Sequence, residues 1–227
     1  KQLETQLSIR MPKAFDRYYF VIDDQNHPSF SAFDCLTPDK LGLLLEETNF
    51  LFTHAQFDPE YPEWFTEHKA TIGALEKQRK IVFNSAPKFS IIVPLYNTPI
   101  SFFNDMVESV KNQSYANWEL LLVNASPDNQ ELKARVEQET ARDNRIKSIN
   151  LTENKGISEN TNAGTAIASG DFACFFDHDD ILEPDLLFSY AEAIENNNDV
   201  DLLYCDEDKL MPDGKLAQPF FKPDFNI

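Results

Sequence analysis

The chain has 227 residues, more than one average domain and fewer than two, and its formal net charge is −18. A negative field of this size repels phosphate, so nucleic acid and anionic membrane surfaces are excluded as bulk partners. Any phosphate-bearing ligand must be received locally, by backbone N–H groups, a few cations or a bound metal ion. Hydrophobic residues make up 42% of the chain, which is enough for a buried core.

The cysteines and the hydropathy pattern indicate a compartment. Three cysteines without C-x-x-C spacing favour a reducing environment over a disulfide framework. No apolar run reaches the roughly 18 residues of a membrane span, and the first residues do not resemble a signal peptide. The chain is therefore expected in the cytoplasm, with peripheral association at the inner face of the membrane as an option. Because it lacks an initiator Met, we expect it to be a piece of a longer protein.

Residues 1–87 are aromatic-rich and irregular, and we predict that they form a smaller N-terminal α+β region. A strand is predicted at residues 17–22, and a helix at 38–48 with Thr37 as its N-cap. Residues 73–80 have the pattern of a helix end. No catalytic constellation occurs here, so the region is interpreted as an adaptor or packing layer of unknown role.

From residue 88 to the end of the chain, apolar strands alternate with amphipathic helices. The predicted strands are 89–95, 118–123, 145–149, 172–176 and 200–205, and the predicted helices are one that starts at Pro99 and then 128–140, 157–169 and 184–196, the last with Pro184 at its first position. Strands that are apolar throughout are typical of a mostly parallel sheet with helices on both faces. Ligands bind such sheets at the carboxyl ends of the strands, and the polar residues cluster at those ends.

Three carboxylates, those of Asp177, Asp179 and Asp180, directly follow the predicted strand 172–176. Like charges this close destabilise one another unless a cation binds them. Mg²⁺ and Mn²⁺ take oxygen ligands and are commonly completed by water and substrate phosphates. The pattern therefore indicates a metal–diphosphate site. The alternative is a solvated acidic turn that caps the next helix, and position alone leaves both open.

A second acidic cluster, residues 206–208, follows the last predicted strand. It would approach the first cluster if the two strands were neighbours. The alternative is a loop charge run paired with Lys209 and Lys215. A calcium-binding EF-hand loop at the first cluster is excluded, because its fifth and sixth positions would be Ile181 and Leu182. A D-x-D phosphatase stays open as a minor alternative.

Four motifs occur in order: 89–97 (FSIIVPLYN), 154–158 (NKGIS) followed by Asn162 and Gly170-Asp171, 177–180 (DHDD), and the tract 206–224. Together they resemble family 2 glycosyltransferases with the GT-A fold, of the type active in bacterial surface-polysaccharide synthesis. The resemblance runs from about residue 88 to the end of the chain. It implies a nucleotide-diphosphate-sugar donor, an Mg²⁺ or Mn²⁺ ion, a glycan or lipid-linked acceptor, and inversion at the anomeric carbon.

The resemblance also implies roles for residues around the nucleotide. Pro94, Tyr96 and Asn97 lie in the loop that wraps the nucleotide, with Tyr96 against the base or, alternatively, as a surface-packed aromatic. Asn124 stands where the family usually has an Asp that accepts a bond from the base. An amide oxygen accepts without charge, and a turn residue is the alternative interpretation. Lys155 adds charge near the diphosphate, unless it is a solvated surface side chain.

Further roles concern the helix after the second motif and the D-x-D sequence. Asn162 lies on that helix and is assigned to the donor site. Asp177 addresses the ribose or sugar side and shares the metal ion with Asp179, which is its principal ligand. Asp180 assists as a nearby acid or caps the next helix, and His178 is interpreted as a spacer.

The resemblance does not identify a general base among these residues. In the family that base lies in the later, acceptor-binding part, so we expect it beyond Ile227, the last residue of this chain.

Two other functions remain open at this level. The chain could be a nucleotide-sugar-binding module that does not transfer, because we expect the part with the base to lie beyond Ile227 and because Asn124 stands where the family usually has an Asp. The aromatic N-terminal region could instead be an interaction domain that positions an enzyme on a membrane-linked acceptor or a partner enzyme.

Overall fold

A computed structural model describes residues 60–197 and 199–222. The strand predicted at 17–22 and the helix predicted at 38–48 lie outside the described residues. The described residues form two compact units, one made of 60–67 and 205–222 and the other of 68–197 and 199–204. Within the described part of the chain, no helix is both long and apolar enough to cross a membrane.

The helices and strands follow one another as the sequence predicts over most of the second unit. In chain order they are α1 (Tyr61–His68), α2 (Ile72–Gln78), β1 (Phe89–Leu95), α3 (Ile100–Lys111), β2 (Trp118–Asn124), α4 (Gln130–Arg142), β3 (Ile146–Asn150), α5 (Ile157–Thr165), β4 (Phe172–Phe175), α6 (Leu186–Asn196), β5 (Glu207–Leu210) and β6 (Leu216–Phe220). Local signals explain several boundaries. Asn129 caps α4 by accepting the Leu132 N–H at 3.0 Å, and Thr71 caps α2 in the same way through the Ala74 N–H.

Strands β1 to β4 form one parallel sheet in the order β3-β2-β1-β4. Ile91 of β1 lies between Leu120 of β2 and Cys174 of β4. The chain proceeds outward from β1 to β3 and then returns to the other side of β1 with β4. The strand order therefore reverses beside β1, and in open parallel sheets the crevice at the carboxyl ends of such strands is where ligands bind.

Helices cover both faces of this sheet, as predicted. On one face, side chains such as Ile91 and Leu120 join a core to which α3, α4 and α6 contribute. On the other face, α5 lies so close to the sheet that a Cβ at Gly164 would stand 2.5 Å from Cγ2 of Ile92 and 2.9 Å from Cγ2 of Val123. The absence of a side chain at Gly164 is what allows this approach.

A buried carboxylate, Glu119, ties the amino ends of the strands together. It accepts hydrogen bonds from Lys147 Nζ at 2.7 Å, Lys88 Nζ at 3.1 Å, Ser90 Oγ at 2.7 Å and the Ser169 N–H at 2.6 Å. Burial alone would raise the pKa of Glu119, but these donors together hold that pKa well below its usual range. The bond to Ser169 draws the chain back to the sheet, so α5 ends earlier than the predicted residue 169.

The strand predicted at 172–176 exists, but the prediction that it is buried is wrong. Among the described strands β4 is at an edge of the sheet, with β1 on its other side. Its residues Ala173 and Phe175 are exposed, and Phe175 retains 71% of its accessible surface. Helix α5 packs on β1 and β2 and leaves this part of the sheet face open.

The strand predicted at 200–205 is also wrong. Val200 and Leu203, three positions apart, pack against the core, while Leu202 is 64% exposed. In a strand Val200 and Leu202 would lie on the same face, so this burial does not fit one. The chain next becomes extended at β5, which pairs antiparallel with β6 in a separate two-stranded sheet.

The predicted start of the helix at 184–196 needs a smaller correction. Helix α6 begins at Leu186, two residues after the predicted first position. The carbonyl of Pro184 accepts the Ser114 N–H at 2.7 Å, so Pro184 belongs to the turn that precedes the helix.

Candidate functional site

The carboxyl ends of the strands surround a cavity of about 280 Å³ at the reversal of strand order. Three segments line it: the end of β1, the loop between β3 and α5 with the first turn of α5, and the loop after β4. The lining residues are Pro94, Tyr96, Asn154, Gly156, Ile157, Asn160, Asp177, His178 and Asp179. The cavity thus brings together residues from three of the four motifs.

The β1 segment contributes an aromatic ring and a tight turn. Tyr96 lines the cavity and is 48% exposed, so its ring is accessible to a ligand. Asn97 follows in the left-handed region at φ +50°, which Asn tolerates better than most residues. Its N–H donates to Ser126 Oγ at 2.8 Å, and this bond fixes the turn to the loop after β2. Asn97 itself is exposed and lies outside the residues that line the cavity.

The β3–α5 loop contributes a glycine turn and the start of a helix. Gly156 has φ +90°, a conformation that other L-residues rarely adopt. Asn154 Oδ1 accepts both the Gly156 N–H at 2.9 Å and Asn160 Nδ2 at 2.8 Å. Helix α5 begins at Ile157 with no side-chain cap, so the partial positive charge of its first turn lies at the cavity.

The loop after β4 contributes the predicted carboxylates. Asp177 and Asp179 both line the cavity and both are exposed. His178 lies between them, and its Nδ1 is buried without a hydrogen-bond partner in the described structure. The Asp180 N–H approaches the Asp177 carbonyl oxygen at 3.4 Å, so the segment curves into a turn, and Asp180 does not line the cavity.

This donor set suits a hard divalent cation that takes part of its coordination from a substrate. Two carboxylates face one cavity, which provides the oxygen ligands that Mg²⁺ and Mn²⁺ prefer. Within residues 60–197 and 199–222, no three His, Cys, Asp or Glu side chains converge as a metal cluster. Asp177 and Asp179 could therefore hold such an ion only together with water or phosphate oxygens.

The predicted position of the general base, beyond Ile227, lies outside the described residues, as does Ile227 itself. The carboxylates that line the cavity are those of Asp177 and Asp179, and both are the predicted ligands of the metal ion. The location of the base therefore stays a prediction.

Two predicted donor-site residues lie at a different cavity. Lys155 and Asn162 line a second space of about 330 Å³, together with Glu153 and Glu159. Lys155 Nζ is 3.7 Å from Glu153 Oε1, and 58% of the Lys155 side chain is exposed. The structure therefore does not bring these two residues to the space that contains Asp177.

Asn124 is buried, with 2% exposure, and its amide is used on both sides. Its Oδ1 accepts the Ser126 N–H at 3.1 Å, and its Nδ2 donates to Asn150 Oδ1 at 3.0 Å. These bonds join the carboxyl ends of β2 and β3 and shape the turn after β2. They agree with the alternative interpretation of Asn124 as a turn residue. Its role toward a nucleotide base stays a prediction.

The second acidic cluster belongs to the other compact unit, and protein groups contact all three carboxylates. The Lys222 N–H donates to Asp206 at 2.7 Å, and Lys222 Nζ pairs with Glu207 at 2.9 Å. The bond to Glu207 raises the pKa of Lys222. Tyr61 OH donates to Asp208 Oδ2 at 2.6 Å. These contacts favour the interpretation of the cluster as a loop charge run.

The pairing partners in this unit differ from those expected. Lys215 pairs with Asp213 at 3.2 Å instead of the 206–208 cluster. Aromatic rings also pack against one another in this unit. The ring centroids of Tyr61 and Trp64 are 5.7 Å apart in a stacked pair, and those of Trp64 and Phe221 are 5.4 Å apart in an edge-to-face pair.

One residue at the cavity was missed by sequence reasoning. Asn160 is 2% exposed, lines the cavity and bonds to Asn154. A polar residue on the inner side of a short helix, four positions after the turn glycine Gly156, is the signal that could have indicated it. Asn160 is not among the positions that the family motifs mark.

The protein is an α/β protein with a parallel sheet. Where the strand order reverses, a carboxylate pair, a glycine turn and the start of a helix line one cavity, and this arrangement suits a phosphate-bearing ligand. The model of glycosyl transferase family 2 matches residues 90–215, more than half of the chain, and the chain belongs to that family. Its sheet, with helices on both faces, is the GT-A arrangement expected from the motifs. This membership sets aside D-x-D phosphatase chemistry.

Relatives of the chain include much longer proteins. It is 34% identical over 163 residues to the uncharacterized protein y4gI of Sinorhizobium fredii, and 29% identical over 167 residues to the O-antigen biosynthesis protein RfbC of Myxococcus xanthus. These matches cover 72% and 74% of this chain but only 18% and 13% of the relatives. A crystal structure of S. aureus TarS in complex with UDP is similar at 25% identity and a TM-score of 0.44, over 49% of this chain and 33% of that one.

Proposed function

We propose that this chain is the donor-binding part of a glycosyltransferase that moves a sugar from a nucleotide-diphosphate-sugar to a glycan or lipid-linked acceptor. One observation carries the proposal: a single cavity at the reversal of strand order is lined by Tyr96, by the start of α5, and by Asp177 and Asp179. Family membership and the relative named as an O-antigen biosynthesis protein support cell-surface polysaccharide synthesis as the setting. A location on the cytoplasmic side is part of the proposal.

The charge of the chain makes local reception of the diphosphate necessary. With a formal net charge of −18, the protein repels an anionic donor at long range. Asp177 and Asp179 hold a divalent cation in this proposal, and Gly156 and Ile157 bring the positive end of α5 to the same cavity. When bound, the cation supplies charge stabilisation for the diphosphate leaving group.

The remaining parts of the donor are assigned by what the cavity offers. The half-exposed ring of Tyr96 provides a flat surface for a base, and the exposed Asp177 carboxylate can also accept from ribose or sugar hydroxyls. An acceptor hydroxyl attacks the anomeric carbon from the face opposite the diphosphate, so the configuration inverts. In this proposal the carboxylate that takes the proton belongs to a part of the protein beyond Ile227.

Calorimetry tests the donor site directly. UDP, GDP and dTDP are titrated into the chain with Mn²⁺ and again with a chelator, and one of them should bind only with the metal. Asp179→Asn should weaken that binding at least about tenfold, because it removes a ligand charge. Asp105→Asn on α3 is the matched control, since it makes the same change at an exposed residue outside the cavity. Unchanged binding in the Asp179 variant, or no binding of any nucleotide, would contradict the proposal.

A further inference from the structure

We propose that Asn160 is a positioning residue of the donor site, one that holds the segment 154–156 in the shape it needs to line the ligand cavity. This inference rests on the proposed function. It concerns a residue on the first turns of α5 that the sequence motifs did not single out. Asn154, Gly156 and Asn160 line the same cavity as Asp177 and Asp179.

Asn160 contacts the segment through both ends of its side-chain amide and through its backbone. Nδ2 donates to Asn154 Oδ1 at 2.8 Å, and Oδ1 accepts the Lys155 N–H at 3.3 Å. The Asn160 backbone N–H donates to the Gly156 carbonyl at 3.0 Å. One side chain therefore bonds to two successive residues of the loop, and at 2% exposure it makes these bonds away from bulk water.

The segment needs such a constraint because its own backbone does not supply one. Gly156 sits at φ +90° and, lacking a Cβ, has many other conformations open to it. Among the described residues, nothing lies within 4 Å of where its Cβ would be, so that side of the turn is not packed against another element. Asn154 selects the observed turn by accepting the Gly156 N–H, and Asn160 in turn orients Asn154. Small displacements of groups that position a substrate are costly for binding and catalysis.

The direction of the bond between the two asparagines provides a sharp test. Asn160 is the donor and Asn154 the acceptor, so Asn160→Asp places two oxygen acceptors against each other and breaks the bond. Asn154→Asp keeps the acceptor for both of its bonds and adds the same negative charge one hydrogen bond away. The two variants therefore separate loss of the bond from gain of charge. Asn160→Ala removes the amide without any charge and serves if the Asp variant does not fold.

The experiment measures binding and local exchange on the full chain. The dissociation constant of whichever of UDP, GDP and dTDP binds wild type with Mn²⁺ should rise at least about tenfold more in Asn160→Asp than in Asn154→Asp. Amide exchange of residues 154–156 without nucleotide should accelerate in Asn160→Asp and Asn160→Ala but not in Asn154→Asp. The melting temperature of all three is measured as well, because a change at buried residue 160 is expected to lower it. Binding and exchange are compared at a temperature at which every variant is fully folded, so that a general loss of stability is separated from positioning.

Each outcome decides something different. Equal weakening in the two Asp variants would assign the effect to charge and overturn the positioning role, as would wild-type affinity in Asn160→Asp and Asn160→Ala. In those cases the metal-dependent binding of wild type leaves the proposed function standing. If wild type binds none of the three nucleotides, the proposed function fails, and the role of Asn160 in it fails for that separate reason.

Discussion

Replacing Glu119 by Gln should lower the free energy of unfolding. Glu119 lies at the amino end of β2, whereas the ligand cavity lies at the carboxyl ends of the strands. In the folded chain this carboxylate is 1% exposed and accepts from two ammonium groups, from the hydroxyls of Ser90 and Ser169, and from a backbone N–H. Gln retains one oxygen, which can serve the bonds from Ser90 and Ser169. Its amide nitrogen, a donor, then faces Lys88 and Lys147, so both charge-assisted bonds are lost.

The size of the effect follows from those two bonds. A hydrogen bond to a charged group contributes about 1.5–3 kcal/mol, and a buried charge pair broken on one side costs about 3–5 kcal/mol. The lysine side chains are 32% and 46% exposed, so the ammonium groups that are left behind recover part of their hydration. We therefore expect the free energy of unfolding to fall by about 2–4 kcal/mol, a large part of the roughly 5–15 kcal/mol of a native domain.

Urea unfolding followed by tryptophan fluorescence in a Trp64→Phe background measures this loss, because the remaining Trp118 is buried next to Glu119 on β2. Glu137→Gln on the exposed side of α4 is the matched control and should stay within about 0.5 kcal/mol of wild type. The folded pKa of Glu119 is depressed, so its stabilisation is complete above the ordinary value of 4.5 and is lost as pH falls below it. A loss under about 1 kcal/mol at pH 7, or a wild-type advantage that persists unchanged well below pH 4.5, would refute the reasoning.

Two further predictions concern other structural contacts. Gly164→Ala should lower the free energy of unfolding by about 1–2 kcal/mol, because the close contact of the new Cβ with the sheet outweighs the better helix propensity of Ala. Urea titration measures the change, and a stabilised variant would contradict the prediction. Glu195 accepts hydrogen bonds from Ser85 and Asn84, and these bonds lower its pKa to about 2. The protection of the amides of residues 84 and 85, taken relative to exchange in an unstructured chain at the same pH, should therefore fall in Glu195→Gln, and in wild type as pH falls from 4.5 toward 2. Protection that responds to neither change would show that these bonds do not hold the segment.

The sequence by itself determined the elements whose residues agree locally with their place in the fold. The strand at 89–95 has the predicted bounds, because a short β-branched apolar run buried on both faces has few other solutions. The D-x-D aspartates were expected directly after a strand, at the edge of the sheet where polar residues cluster, and the structure places them at one cavity with Tyr96. Motif order and strand periodicity are local properties, so they can be read without knowing which strands pair.

Tertiary structure alone decided the features that depend on distant partners. Whether β4 is covered depends on where α5 packs, and whether residues 200–205 pair as a strand depends on the rest of the sheet. Lys155 and Asp177 belong to the same set of motifs, yet they line different cavities. Asn160 acquires its role only through the bond to Asn154, a contact set by the fold of the loop. Such side-chain pairings are governed by three-dimensional proximity, which the periodicity of a sequence does not encode.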